Sequence, residues 1–154
     1  MDLSCHFVQL FGAGRLALSE RPKVKELPGL LAEGCDRIVT ILSINDKPQG
    51  IGRAAQALGI EWNWLQVAQA SQLTAAEQNH FKAMVQTVYQ AILKGESVLV
   101  HCSAGLHRTG MFAYALLRTQ SLRHDSAMEM LGELRRETLE AFEEKYQRIA
   151  EKMI

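Results

Sequence analysis

Ser97-Val98-Leu99-Val100-His101-Cys102-Ser103-Ala104-Gly105-Leu106-His107-Arg108-Thr109-Gly110 is the stretch on which the reading of the chain turns. It reads as a short apolar strand, a tight glycine-containing loop and the start of an apolar helix. Cys102 falls where the strand ends and Arg108 where the helix begins. Backbone N–H groups of a loop at a helix N-terminus point inward and form a cradle for an anion. A cysteine on the floor of that cradle feels the same partial positive charge, which favours its thiolate. An arginine a few residues further on can hold two oxygens of a phosphate in a planar fork. A nucleophile, an oxyanion cradle and a clamp in one short segment suit attack on phosphorus followed by hydrolysis of a thiophosphate.

The pattern Cys-x5-Arg-Thr preceded by His resembles the signature of the protein-tyrosine-phosphatase superfamily. Shuffling the chain yields such a Cys-x5-Arg-[Ser/Thr] match only about 0.02 times, and the preceding His lowers that further. The resemblance implies that Cys102 attacks the phosphoryl group and that Arg108 clamps its oxygens. The amides of Ser103, Ala104, Gly105, Leu106, His107 and Arg108 would form the cradle. Thr109 would hydrogen-bond the thiolate and help it leave, and His101 would brace the loop backbone. Gly105 would supply the backbone freedom that a tight cradle demands. His107 reads as a residue of the pocket rim or as added charge beside the phosphate. No metal and no cofactor are implied.

Composition narrows the partners. The chain has 154 residues with seventeen basic and seventeen acidic side chains, enough for one domain with a real core. The cancelling charge offers no global field for nucleic acid or anionic membranes. Cys5, Cys35 and Cys102 are too few and too uneven for a disulfide framework or zinc site. They fit a reducing compartment, as a thiolate nucleophile requires. With no visible signal peptide or membrane span, the expectation is a cytoplasmic protein. Cys5 or Cys35 could also trap an oxidised Cys102 as a disulfide.

Along the chain, strands alternate with helices. Residues 7–11 and 15–19 read as two strands around Gly12-Ala13-Gly14, with a short helix near Pro28. Residues 36–42 form an apolar strand and 43–50 a polar loop, followed by a helix over 51–58 and a strand over 60–67. Thr74 caps a long helix with Glu77 at the capping-box position, and Phe81, Met84, Val85, Val88 and Ile92 mark its buried face. Helices follow over 109–117, 124–134 and 139–153. Trp62 and Trp64 alternate onto one face of their strand, which assigns them to the sheet core. The fold class is α/β: one three-layer domain over residues 1–154, with a mostly parallel sheet of about five strands flanked by helices. Its ligand site belongs at the strand carboxyl ends. Together these features resemble a small dual-specificity-type phosphatase.

One element departs from that pattern. Family members usually carry an aspartate before the cysteine that protonates the leaving oxygen. The corresponding stretch, Leu65 to Ser71, has Gln69 at that place, and residues 63–71 are expected to border the pocket. Asp46, Glu77 and His107 are three possible substitutes. The functional expectation is a phosphomonoester hydrolase working through phosphocysteine, with a phosphorylated protein or small molecule as substrate. Two alternatives stand beside it: a hydrolase of polyphosphate or an RNA 5′-triphosphate, whose leaving groups need no proton, and a catalytically weak phosphate-binding module.

Overall fold

The computed structural model describes Leu3 and residues 5–154. Five strands form a single sheet: β1 (Val8–Gln9), β2 (Arg15–Ser19), β3 (Arg37–Ile41), β4 (Glu61–Leu65) and β5 (Ser97–His101), in the order β1-β2-β5-β3-β4. Only β1 runs antiparallel, and all other pairs are parallel. Parallel neighbours need crossovers, and these are supplied by α1 (Leu27–Ala32), α2 (Gln49–Ala57) and α3 (Ala75–Leu93). The chain closes with α4 (His107–Thr119), α5 (His124–Leu134), α6 (Arg136–Glu140) and α7 (Glu144–Glu151). Three-layer architecture and a mostly parallel five-stranded sheet agree with the sequence reading.

Strand alternation divides the core in two. Ala17, Ile38 and Leu99 face Leu27, Leu30, Ile51 and Ala55 of α1 and α2. Leu16, Leu18, Val39, Ile41, Val98 and Val100 face the opposite layer, where Phe81, Val85 and Val88 of α3 meet the buried stretch Met111–Leu117 of α4. All five residues of central β5 are buried, as an apolar run between two parallel neighbours should be. The sheet thereby delivers Cys102 to its carboxyl edge, directly ahead of the N-terminus of α4.

Local expectations fail in four places. Strand β1 is confined to two residues, and Phe11 beyond it packs tilted against Tyr89 of α3 at 4.9 Å between ring centroids. The helix expected over 139–153 is two helices, broken around Phe142, which is buried against Tyr114 and Gly110 of α4. Met84 is half-buried, outside the closed core. Trp62 and Trp64 share a face but are half-buried on edge strand β4. They stack at 6.0 Å and spend both indole N–H groups, on Thr40 Oγ1 and on the carbonyl of Leu42. Gly52 lets α2 press onto Trp62, since a Cβ there would stand 2.4 Å from the indole ring.

Candidate active site

The loop between β5 and α4 is held from outside by its carbonyls. The oxygen of Cys102 accepts from His101 Nδ1 at 3.0 Å and that of Ser103 from the Arg21 N–H at 2.8 Å. Ala104 O accepts from Arg135 Nη1 at 3.2 Å. Gly105 O accepts from Arg135 Nη1 at 3.0 Å and from Thr138 Oγ1 at 2.6 Å. In a trans peptide the N–H points opposite to the carbonyl, so these outward oxygens turn the amides of residues 103–106 toward the pocket. The thirteen-residue helix α4 aims its N-terminus at the same space, adding the positive end of its dipole. Gly105 is required where it stands. Its φ is +72°, and a Cβ would lie 2.3 Å from the carbonyl oxygen of Ser19.

Cys102, Ser103, Ala104, Leu106, His107 and Arg108 line a cavity of about 220 Å³, closed on its far side by Ala68 and Ala70. Cys102 is buried at its floor. Arg108, in the first turn of α4, donates from Nη1 to the carbonyl of Val67 at 2.9 Å, and the same nitrogen lies 3.8 Å from Asp46 Oδ2. All its hydrogen bonds to described residues use Nη1, so Nε and Nη2 remain as a two-pronged donor for an anion. Thr109 Oγ1 is buried without a hydrogen-bond partner among the described residues; the bond from Thr109 to the nucleophile implied by the resemblance is not made here.

His101 is wholly buried, and its partners assign its tautomer. The Cys102 carbonyl can only accept, so Nδ1 carries the proton and Nε2 accepts from Thr40 Oγ1 at 2.7 Å. Thr40 in turn accepts from Trp62 Nε1 at 2.8 Å. The chain Trp62–Thr40–His101–Cys102 therefore runs in one direction from β4 through β3 and β5 into the loop. Burial pushes His101 down to about 4, with the Arg21 and Arg108 cations adding to it and the Cys102 carbonyl opposing. It is a neutral strut, as a bracing role requires.

The three substitutes for the missing acid are placed differently. Asp46 is the carboxylate near Arg108, but it belongs to a turn at 44–46, where it accepts from the N–H and hydroxyl of Ser43 at 2.9 and 3.0 Å. The Ser43 N–H above all holds it below the usual carboxylate range, helped by the Ser43 hydroxyl and the Arg108 and Arg21 cations, against partial desolvation. Asp46 is bonded into its own turn and is not among the residues that line the Cys102 cavity. Glu77 is outside the Cys102 cavity; it caps α3 and lines a separate groove. His107 does border the cavity, with its ring stacked on Tyr146 at 4.4 Å. Of the stretch expected to border the pocket, only Ala68 and Ala70 do so, and Gln69 is exposed.

Neither remaining thiol is set up to trap Cys102. Burial pushes Cys5 up to about 11 and Cys35 up to about 12. Cys35 also precedes β3 at the amino edge of the parallel strands, whereas Cys102 follows β5 at the carboxyl edge. A strand of five residues separates those edges by roughly 16 Å. A larger cavity, about 720 Å³, lies between β4 and α3 and includes Trp64, His80 and Met84. No cysteine is among its lining residues.

A family model described as the dual specificity phosphatase catalytic domain matches residues 38–150. The chain belongs to this family. Dual specificity protein phosphatase 22-B of Danio rerio is 33% identical over 84 residues, which is 54% of this chain and 42% of that protein. The chain thus matches less than half the length of that curated relative. Among solved structures, a kinase associated phosphatase bearing serine for its catalytic site cysteine superimposes with a TM-score of 0.75 at 15% identity, covering 97% of this chain and 93% of the other. The human tyrosine phosphatase-like serine/threonine/tyrosine-interacting protein gives 0.73 at 21% identity, with 94% and 92% covered. Both likenesses concern the fold.

In this dual specificity phosphatase domain, four residues of the site carry no motif: Arg21, Thr40, Arg135 and Thr138. Thr40 left a faint trace, since it is the polar residue in the apolar run of β3 and pairs in register with His101, its counterpart in β5. For the other three, no local pattern marks a side chain or amide that bonds a carbonyl far away in sequence.

Proposed function

We propose that the chain hydrolyses phosphomonoesters through a phosphocysteine intermediate, on a phosphorylated protein or a small phosphorylated molecule. The observation that carries this is the coincidence, at Cys102, of four outward-bonded carbonyls with the unspent Nε and Nη2 of Arg108. Cys102 Sγ attacks phosphorus, forming the S–P bond as the bond to the leaving oxygen breaks. Inward amides and the Arg108 fork carry the charge of the equatorial oxygens, most strongly in the transition state. Water then attacks phosphorus, releasing inorganic phosphate and restoring the thiolate. Thr109 Oγ1, buried beside the loop and without a partner among the described residues, is the hydroxyl available to ease that departure.

Ala68 and Ala70 face the cavity from the loop that usually carries the acid, so that loop gives the leaving oxygen no proton. General acid catalysis contributes about 10²–10⁴-fold, and its loss confines fast turnover to leaving groups that are good anions. The same observation favours a second substrate class, phosphoanhydrides such as polyphosphate, whose leaving group is already stable as an anion. We place the domain, spanning residues 1–154, in a reducing cytoplasmic setting, which keeps its free thiols Cys5, Cys35 and Cys102 reduced. No helix among the described residues is long and apolar enough to cross a membrane.

Steady-state hydrolysis of aryl phosphates of graded leaving-group basicity, with Cys102→Ser as the blank, tests the reading. We expect turnover that Cys102→Ser abolishes and a rate that falls steeply as the leaving group becomes more basic. Equal background rates for both proteins would leave a phosphate-binding module. A flat dependence would mean that a proton donor operates after all. Faster release of phosphate from pyrophosphate than from any aryl ester would select the anhydride reading.

A further inference from the structure

The peptide unit joining Val67 to Ala68 is gripped at both ends by opposite charges. Its carbonyl oxygen accepts from Arg108 Nη1 at 2.9 Å. Its N–H donates to Glu77 Oε2 at 3.4 Å. The other oxygen of the same carboxylate, Oε1, accepts from the Thr74 N–H at 2.8 Å, while Thr74 Oγ1 accepts from the Glu77 N–H at 3.1 Å. Glu77 therefore does two separable things: one oxygen completes the cap of α3, and the second reaches back across the loop to Ala68.

We propose that Glu77 is a positioning residue for Arg108, acting through the Val67–Ala68 peptide; the inference rests on the phosphatase reading above. A carbonyl and N–H of one trans peptide point in opposite directions, so the guanidinium and the carboxylate pull along one line and polarise the group between them. Fixing the N–H end fixes where the carbonyl oxygen stands. That oxygen takes one hydrogen of Arg108 Nη1, and Asp46 Oδ2 lies 3.8 Å from the same nitrogen. With Nη1 committed to the loop, Nε and Nη2 have no hydrogen-bond partner among the described residues and are left for an anion in the cavity that Arg108 lines. A pre-aimed fork loses less freedom on binding than one that must be found among rotamers. In this chain the loop has no acid to offer, and its backbone serves the arginine instead.

Tungstate, a phosphate mimic, reads the position of Arg108 without needing turnover. Its dissociation constant is measured by calorimetry for the parent, Glu77→Ala and Thr74→Ala, with thermal unfolding of each. Thr74→Ala removes the hydroxyl that caps α3 and leaves the Glu77–Ala68 bond in place. It should lower the midpoint of unfolding while keeping tungstate affinity within about twofold. Glu77→Ala should lower the midpoint and also weaken tungstate roughly fivefold to tenfold, the net worth of about one ordinary hydrogen bond. Unchanged tungstate affinity in Glu77→Ala overturns the inference, as does an equal loss in Thr74→Ala, which would reduce Glu77 to a helix cap. A parent that binds no tungstate and turns over no aryl phosphate overturns the phosphatase reading itself, and the inference with it.

Discussion

Arg135 Nη1 lies 3.0 Å from the carbonyl oxygen of Gly105 and 3.2 Å from that of Ala104, reaching across thirty residues from the start of α6. Thr138, one turn further on, donates to Gly105 at 2.6 Å. The loop that carries Cys102 is thus shaped from behind by a helix that does not line the cavity. Two neighbouring carbonyls pulled outward are what leave the amides beside them facing in.

Replacing Arg135 with Ala should loosen the cradle and strand carbonyls that water does not reach freely. The side chain is only 10% exposed, so we expect a stability loss of about 1.5–3 kcal/mol and weaker binding of inorganic phosphate. Chemical denaturation and competitive inhibition by phosphate measure the two effects. Arg135→Lys should restore part of the loss, because Nη1 alone makes both carbonyl contacts and an ammonium also carries several hydrogens on one nitrogen, though on a shorter side chain. Phosphate inhibition as strong as the parent's would show that the cradle keeps its shape unaided.

Stability should fall on mild acidification because of His101. Its folded value of about 4 lies below the ordinary histidine value of 6.5. Between those values the unfolded chain takes up a proton that the folded chain refuses. Stability from this group is therefore complete above about pH 6.5 and is lost progressively toward pH 4. The difference is worth about 3 kcal/mol in total. Urea unfolding at intervals between pH 7 and 4 should show the decline. His101→Gln should be weaker at pH 7 but show a shallower slope, and an unaltered slope would assign the decline to other groups.

Alkylation should single out one thiol. Cys102 opens onto the cavity, whereas burial holds Cys5 and Cys35 as neutral thiols, at about 11 and 12. Iodoacetamide near neutral pH should modify Cys102 first, and tungstate should protect it, because the thiolate is the reactive form. Peptide mapping by mass spectrometry reads the site. Labelling of Cys35 at a comparable rate would contradict the burial assigned to the α1–α2 side of the sheet.

The sequence announced what is local. A strand, a loop and a helix in one short run set Cys102 and Arg108 in place, and Thr74 with Glu77 marked the start of α3 where the structure has it. Alternation placed Trp62 and Trp64 on one face of β4, though not in the closed core. What stayed hidden is tertiary. Arg21, Arg135 and Thr138 act through hydrogen bonds to backbone carbonyls distant in sequence, which leave no periodicity and no spacing. The break between α6 and α7 has no proline or glycine, so the apolar repeat from Leu139 to Met153 runs through it unmarked. Burial of Phe142 against α4 outweighs helix continuation there. Glu77 was visible as a cap, but its second oxygen needed the fold to find Ala68.

The parallel pairing of β2 with β5 joins segments far apart in the chain, with Arg15 and Ser97 also linked side chain to side chain across 82 positions. Such a contact demands closure of a long loop before it returns any stabilisation, which slows folding. The strand that delivers Cys102 is complete only after its partners have been synthesised, and Arg135 and Thr138 emerge from the ribosome later still. The nucleophile therefore spends the last part of synthesis as an unshaped thiol, and phosphate-binding competence should arise late and cooperatively, after the segment through α6 has docked.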